Sequence, residues 1–386
     1  MSLQEQRAEG ETVLSVDDLQ TVFFTDKETI RAVDGISFDI GRGETVGIVG
    51  ESGSGKSVTA RSIMGLIQSP GRILDGSSIR FMGAELVGMS EQEYRRIRGG
   101  GIAMIFQDPL TSLNPVYTVG NQIKEALRLH QGLRGAEATE RAVELLEAVS
   151  IPDARRRVTE YPHQFSGGMR QRAVIAMALA CEPELLICDE PTTALDVTIQ
   201  AQILDLLAEL QEERGLAIMF ITHDMGVIAD VSDRVNVMYA GEIVEKAPVE
   251  ELFESPMHPY TQGLLESIPG RYAGEERLRT IEGDVPTANA AATSCRFAPR
   301  CPEAFDDCEA VHPVNVDVGA SGTDHQAACL LYPADRSRDD AVELHRSRGS
   351  AAESAELSPA EDEERQRGDG VLRRWWRRAA GDGEHP

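Results

Sequence analysis

The sequence predicts an α/β fold with a mostly parallel β-sheet, on two observations. Apolar, β-branched runs alternate with helical patterns along much of the chain, as in units whose parallel strands are joined by crossover helices. One of these junctions, residues 50–57, reads G-x-x-x-x-G-K-S between an apolar run at 45–49 and a helical pattern at 58–67. Strand, glycine loop and helix in this order form the context of a phosphate-binding loop. We therefore expect a nucleoside triphosphate site at the carboxyl edge of the sheet.

The glycine loop suits phosphate through its backbone and two of its side chains. Its glycines let successive N–H groups point inward at phosphate oxygens, and the following helix N-terminus adds positive potential. Lys56 can reach the β- and γ-phosphates, and the Ser57 hydroxyl can ligate Mg²⁺. The expected nucleotide contacts are Gly50, Ser52, Gly53, Ser54, Gly55, Lys56, Ser57 and Val58.

Three other strand patterns end in polar residues that would share this edge. Gln107 follows the apolar run 101–106 and could reach a metal or a water in the cleft. The run 185–188 ends in Asp189, a natural Mg²⁺ partner, and Glu190, which could polarise an attacking water. His223 follows the run 217–222. Taken alone, Gln107 and His223 would be ordinary residues at strand ends.

The remaining patterns complete a coarse secondary structure. Alternating residues predict strands at 12–17 and 30–40, and a short strand at 78–81. Helical patterns occupy 91–98, 119–129, 136–149, 170–180 and 199–210. Between the first two strands we expect a loop holding Phe23 and Phe24, and we choose Phe24 as an aromatic that could stack on adenine. Ser166, Gly167 and Gly168 precede a helix and offer a second anion site.

Composition limits the class of protein. A length of 386 residues is enough for two or more domains, and 41% apolar residues can fill a sizeable core. A net charge of −26 argues against general nucleic-acid binding. Of the 38 basic residues only four are Lys. This acidic, Lys-poor surface favours a salt-accumulating microbe, and a GC-biased preference for Arg is the alternative. We find no apolar signal-peptide core or membrane-spanning run and expect a soluble, intracellular chain.

Together these motifs resemble, in order and spacing, the ATP-binding subunit of ABC transporters. Residues 50–57 look like Walker A and Gln107 like the Q-loop. Phe165–Met169 resembles the signature sequence, although it departs from Leu-Ser-Gly-Gly-Gln at both ends. Ile187–Glu190 looks like Walker B, Ala194–Asp196 like the D-loop, and His223 like the switch histidine. The resemblance implies an ATPase with a P-loop NTPase (RecA-like) core, an antiparallel β subdomain and a helical subdomain at about 110–165. It also implies nucleotide contacts by Ser166, Gly167, Gly168 and Asp196, and Gln107 as a further Mg²⁺ ligand.

The match is closer to one group of importers. MIFQDPLTSLNPVYTV at 104–119, EPTTALDVTIQAQ at 190–202 and HPYT at 258–261 resemble ATP-binding subunits of dipeptide and oligopeptide importers. The resemblance covers about residues 12–332. It implies a second, homologous ATPase in a heterodimer, two membrane permeases, an external substrate-binding protein, and a peripheral position on the cytoplasmic face of the membrane. Oligosaccharide and nickel are alternative cargoes. A soluble ABC ATPase of DNA repair or translation is the alternative from another class.

Four cysteines close to one another predict a metal site in a C-terminal extension at 256–334. Cys295, Cys301, Cys308 and Cys329 are spaced C-x₅-C-x₆-C-x₂₀-C, which in an intracellular chain favours a metal over disulfides. Spacing alone makes tetrahedral zinc the default. The resemblance to peptide-importer ATPases implies a [4Fe–4S] cluster, which we favour over zinc. Cys181 and Cys188 are expected in the core.

The last part of the chain, 335–386, is polar and charged and is predicted to be disordered. It follows an ATPase domain placed at 1–255 and the extension at 256–334. One island, LRRWWRR at 372–378, holds both tryptophans of the protein. A membrane-surface contact would suit it, and a loose tail is the simpler interpretation.

Overall fold

The strands of the protein form two sheets. A computed structural model describes residues 12–107, 112–193, 196–268, 281–289, 292–319, 323–332 and 338–355, the last of these with side chains to residue 347. Its strands are β1 (Thr12–Phe24), β2 (Thr29–Gly41), β3 (Thr45–Val49), β4 (Gly71–Ile73), β5 (Ser78–Phe81), β6 (Ala84–Glu85), β7 (Ile102–Ile105), β8 (Leu185–Asp189), β9 (Ala217–Thr222), β10 (Arg234–Tyr239), β11 (Glu242–Pro248), β12 (Val316–Asp317) and β13 (Gln326–Ala327). The first sheet is antiparallel in the order β2–β1–β5–β6, with β4 also paired to β1.

The larger sheet carries the parallel core that the sequence predicts. Its order is β12–β13–β11–β10–β3–β9–β8–β7, and the run from β10 to β7 is parallel throughout. Every residue of β3, β8 and β9 is buried. Such continuous apolar strands fit a sheet covered on both faces. The carboxyl ends of β3, β7, β8 and β9 therefore meet at one edge.

The helices cover this sheet and form a separate helical layer. They are α1 (Lys56–Ile63), α2 (Glu91–Ile97), α3 (Val119–His130), α4 (Gly135–Ala148), α5 (Ala154–Arg157), α6 (Gly167–Leu179), α7 (Val197–Arg214), α8 (Met225–Val231), α9 (Val249–Glu254), α10 (Pro259–Glu266) and α11 (Arg338–Ala355). In the helical layer α3 packs on α4, and both contact α6. Leu127, Leu145 and Leu146 supply its buried apolar face, as their spacing predicts.

The first two strands run longer than predicted. Because β1 continues to Phe24 and pairs with β2 up to the turn, the two phenylalanines lie in a strand and not in a loop. Phe23 is opposite Ile30 in this pairing. Helix α6 also begins three residues earlier than predicted, at Gly167.

The C-terminal extension is built onto the main sheet. Its two short strands, β12 and β13, pair with each other, and β13 adds to the edge of β11 through Glu245 and Ala327. His325 Nε2 donates a hydrogen bond to the buried Glu245 carboxylate at 2.7 Å. This junction joins the extension to the sheet by backbone and side-chain contacts.

Helix α11 corrects the prediction of disorder for residues 338–355. Ala341, Val342 and His345 are buried, and His345 bonds to both the Val314 N–H and the Tyr332 carbonyl. A few inward-facing residues are therefore enough to dock a helix of otherwise polar composition. The tryptophan and arginine island at 372–378 lies outside the described residues. In the described part of the chain, every helix is too short or too polar to cross a membrane.

The glycine loop between β3 and α1 depends on close backbone packing. Gly50 has φ +150°, and a Cβ there would lie 2.1 Å from the Met238 carbonyl oxygen. Gly53 has φ +82°, but a Cβ there would meet nothing within 4 Å. A side chain is therefore excluded by backbone contact at the first position and disfavoured only by φ at the second.

This difference predicts unequal effects of two alanine substitutions. Gly53→Ala should lower the free energy of unfolding by about 1–2 kcal/mol, the cost of a left-handed residue. Gly50→Ala should cost at least about 3 kcal/mol, because a carbonyl of β10 must move. Urea denaturation of the nucleotide-free chain, followed by circular dichroism, measures both. Equal losses would contradict the packing argument.

Candidate functional site

Lys56 points back into the glycine loop. Its side chain is buried, and Nζ donates to the carbonyls of Gly50 at 2.7 Å and of Glu51 at 2.9 Å. Burial lowers the pKa of Lys56, while the nearby carboxylates of Glu190, Asp189 and Glu51 oppose that shift. The loop thus surrounds its one ammonium group with acceptors, in the place where phosphate oxygens would bind it.

Ser57 and Asp189 form an oxygen pair beside the loop. The Ser57 hydroxyl donates to Oδ1 of Asp189, the last residue of β8, at 2.9 Å. Burial raises the pKa of Asp189, and the Ser57 hydrogen bond and the charges of Arg61 and Lys56 act against it. A hydroxyl and a carboxylate oxygen are ligands that Mg²⁺ prefers. These two residues therefore fit the Mg²⁺ site predicted for them.

Glu190 is held by three side chains. Gln107 Nε2 donates to Oε2 at 2.7 Å, Thr193 Oγ1 donates to the same oxygen at 3.0 Å, and His223 Nδ1 lies 3.2 Å from Oε1. Burial raises the pKa of Glu190, but the hydrogen bonds from His223 and Thr193 outweigh it and the net pKa is lowered. The carboxylate is therefore ionised at neutral pH and able to accept a proton from water.

The structure thus brings Lys56, Ser57, Gln107, Asp189, Glu190 and His223 to one edge of the sheet. The residues expected at the signature and the D-loop, Ser166, Gly167, Gly168 and Asp196, lie elsewhere. Ser166 caps α6 by accepting from the Met169 N–H, and Asp196 caps α7 by accepting from the Ile199 N–H. Among the described residues, no hydrogen bond joins this second group to the glycine loop. Residues 108–111 and 194–195 lie outside the described part of the chain.

Phe24 keeps one face of its ring occupied. The Arg72 guanidinium lies 5.6 Å from the ring centroid, and the side chain is 46% exposed. An exposed aromatic at the end of β1 can still offer its other face to a base. Stacking of adenine on Phe24 stays a prediction.

Three site residues were not found from the sequence. Thr193 bonds Glu190, Tyr260 accepts the Glu51 N–H at 2.9 Å, and Arg300 pairs with the Glu51 carboxylate. Thr193 follows Glu190 by one turn, and that spacing is a signal that could have identified it. The other two lie more than 200 residues along the chain from Glu51, and no local pattern links them to that residue.

A groove of about 600 Å³ lies beside Gln107, between the parallel sheet and the helical layer. Its walls include Phe106, Ala126, Met177 and Cys181. Cys181 is half-buried at this surface, which corrects its placement in the core, and burial raises the pKa of its thiol to about 11. Cys188 is fully buried as predicted.

The four clustered cysteines line one small cavity in the extension. Cys295, Cys301, Cys308 and Cys329 are all free thiols, and His258 and Phe297 share the cavity wall with them. Burial raises the pKa of Cys295 to about 11 and that of Cys329 to about 12. Within the described residues, no three metal-binding side chains are placed around a single ion position.

Comparison with known proteins agrees with this geometry. Residues 33–193 match the family described as ABC transporter, and residues 244–308 match the one described as oligopeptide/dipeptide transporter, C-terminal region. The oligopeptide transport ATP-binding protein AppD of Bacillus subtilis (strain 168) is 54% identical over 322 residues, covering 83% of this chain and 97% of AppD.

A second relative and a solved structure extend the comparison. A probable peptide ABC transporter ATP-binding protein of Sinorhizobium fredii is 51% identical over 326 residues, covering 84% of this chain and 96% of its own. A dimeric ATP-binding cassette in a post-hydrolysis state, bound to ADP and Pi, is 28% identical with a TM-score of 0.55 and covers 61% of this chain and 98% of its own. With relatives this similar over nearly their whole length, the chain belongs to the ABC transporter family as an ATP-hydrolysing, ATP-binding subunit of the oligopeptide importer type.

Proposed function

We propose that this ATPase powers the import of di- and oligopeptides. The observation that carries the proposal is the joining of two parts in one chain. One is a Lys56–Asp189–Glu190 site of the ABC type, and the other is a segment at 244–308 of the kind named for oligopeptide and dipeptide transporters. A role in DNA repair or translation would not account for that segment.

The contacts of the site support a role for each residue in hydrolysis. Lys56 and the loop N–H groups would bind the β- and γ-phosphates, and Ser57 and Asp189 would hold Mg²⁺, which neutralises phosphate charge. Gln107 is expected to be a further Mg²⁺ ligand. Glu190, kept ionised by its partners, would orient and deprotonate the attacking water, and His223 would contact the γ-phosphate.

The substitution Glu190→Gln tests the hydrolytic assignment. The new amide would keep the shape and several hydrogen bonds of the side chain but lose the basic carboxylate, so kcat should fall at least about a hundredfold while ATP still binds. Phosphate release and light scattering would show low turnover and an accumulated ATP-bound dimer. Glu213→Gln, at an exposed position on α7, is the matched control and should keep full activity. Near-normal turnover in Glu190→Gln would exclude the role.

The second group of residues supports action as a dimer. Ser166, Gly167, Gly168 and Asp196 make no described hydrogen bond with the loop of their own chain, so we infer that they complete the site of a partner ATPase. A different, homologous chain is the expected partner. Two permeases would dock at the groove beside Gln107. Exposed apolar residues just before and within α3, Val116, Tyr117 and Leu129, would add to that surface. An external binding protein would deliver the substrate, with this subunit on the cytoplasmic face of the membrane.

Uptake of a labelled dipeptide tests the cargo. Cells that depend on this chain should import the dipeptide with the wild-type protein and lose uptake with Lys56→Ala, because the loop then lacks its ammonium group. The assay is run at high salt, because the net charge of −26 predicts a salt-accumulating source. Equal uptake by both would remove peptides as cargo, and labelled oligosaccharide and nickel would then be assayed in the same cells.

We also propose that the cysteine cavity holds a [4Fe–4S] cluster. The observation that supports the proposal is the presence of four free thiols on one cavity wall. In a cluster each iron takes its own cysteine, so the ligands stand farther apart than the four around one zinc ion. The group would be structural, since the cluster by itself implies no substrate chemistry.

Metal and sulfide analysis of anaerobically purified protein separates the alternatives. A cluster predicts about four iron and four sulfide per chain with absorbance near roughly 400 nm, lost in Cys295→Ser. Cys181→Ser, outside the cavity, is the control and should keep the colour. Stoichiometric zinc without sulfide would refute the cluster.

A further inference from the structure

We propose that Arg300 is a positioning residue for the phosphate-binding loop, so that the cysteine-rich extension holds the nucleotide site in shape. Arg300 would act on ATP binding by this chain, whatever its cargo and whatever group the cysteine cavity holds.

Arg300 reaches the loop through a two-point ion pair. Its Nη1 and Nη2 lie 3.1 Å from Oε1 and Oε2 of Glu51, the second residue of the loop. The Arg300 side chain is only 6% exposed, and that of Glu51 is 30% exposed. A planar guanidinium on both oxygens of a carboxylate fixes orientation as well as distance.

The guanidinium is itself fixed by the extension. Its Nε donates to the Glu282 carbonyl at 2.8 Å, and Nη2 donates to the Gly283 carbonyl at 2.9 Å. The ring of Tyr239 lies 5.7 Å from the guanidinium carbon. Arg300 therefore meets Glu51 in a pre-set position, and little side-chain entropy is lost in forming the pair.

The backbone of Glu51 is held by the extension as well. Its N–H donates to the Tyr260 hydroxyl at 2.9 Å, and its carbonyl accepts from Lys56 at 2.9 Å. When Lys56 turns to a phosphate, the Lys56 contact is given up. The contacts from Arg300 and Tyr260 can persist, and they would keep the loop open in the shape that phosphate requires.

These two residues lie on a continuous path to the cysteine cavity. Arg300 directly precedes Cys301, and Tyr260 packs edge-on against Phe297 with ring centroids 5.3 Å apart. Phe297 is a wall of the cavity. On the other side of the segment Arg296 pairs with Asp34 of β2. The cysteine segment is thus anchored to the nucleotide-binding core at two points.

Because Glu51 is an acidic residue in the phosphate-binding loop, its ion pair with Arg300 should affect nucleotide affinity. Without Arg300, the Glu51 carboxylate would stand unpaired in a loop that must accept a polyanion. It would repel the phosphates and leave the loop less fixed. Removing the Glu51 charge as well should therefore restore part of the lost affinity, which is unusual for a second substitution in a binding loop.

The test is MgATP affinity of the full chain, by titration of a fluorescent ATP analogue, with ATPase kinetics alongside. Arg300→Gln should raise Kd and KM about tenfold with kcat little changed, because loop positioning affects bound substrate and transition state alike. Arg300→Lys, which keeps the charge but not the fork, should fall between. Glu51→Gln/Arg300→Gln should bind within about threefold of wild type. Arg155→Gln, which breaks an exposed pair with Glu140, should stay within about twofold.

Circular dichroism of each variant distinguishes positioning from stability. If Arg300 had only a structural role, Arg300→Gln would lower the melting temperature but leave the Kd for MgATP of the folded protein unchanged. Adding Glu51→Gln would then not improve MgATP affinity. An unchanged Kd, or no gain in affinity in the double variant, overturns the proposal. If Arg300→Gln does not fold, Arg300→Lys and Tyr260→Phe decide. Both should raise Kd about threefold, and an unchanged Kd in both would overturn the proposal.

Discussion

The buried ammonium group of Lys56 sets the terms for the rest of the nucleotide site. A charge that is nearly removed from water needs acceptors on every side, and the loop carbonyls of Gly50 and Glu51 supply them. The nearby carboxylates of Glu190 and Asp189 oppose the fall in the pKa of Lys56 that burial causes. Phosphate oxygens can then replace these neutral carbonyls as acceptors, and their negative charge pairs with the ammonium group. The loop is in this sense a polar pocket already arranged for an anion.

The parallel sheet is what makes this arrangement possible. Strands β3, β7, β8 and β9 are neighbours and run in one direction, so the residues after their last positions are brought together from distant parts of the chain. Glu190 and Gln107, 83 residues apart, meet at 2.7 Å for this reason. Glu190 adopts φ +49° just beyond the strand, and its N–H donates to the Ile221 carbonyl. The backbone conformation and the three side-chain contacts hold the carboxylate toward the cleft.

The grouping of polar residues at one edge of the sheet could be predicted from sequence, because most of them directly follow apolar strands. Lys56, Asp189 and Glu190 lie in short motifs that can be recognised in the sequence. Because neighbouring parallel strands end at the same edge of a sheet, these motifs are predicted to lie together. Arg300 and Tyr260 could not be predicted in this way, since they meet Glu51 across 249 and 209 residues. Composition misled at helix α11, where three buried side chains among its described ones dock the helix. It also misled at Phe24, where the strand continues because its pairing with β2 outweighs the polar turn that follows.

Helix α11 also covers part of the cysteine segment of the extension. Val342 packs with Cys308 and Leu330, and the Arg338 guanidinium lies 4.4 Å from the centre of the Phe305 ring. The helix therefore forms an outer wall over one side of the cysteine segment. A chain shortened before residue 338 would keep the residues of the candidate nucleotide site but uncover that side to solvent and dissolved oxidants. The exposure of the Cys308 thiol to solvent is thus set in part by a helix that lies outside the nucleotide site.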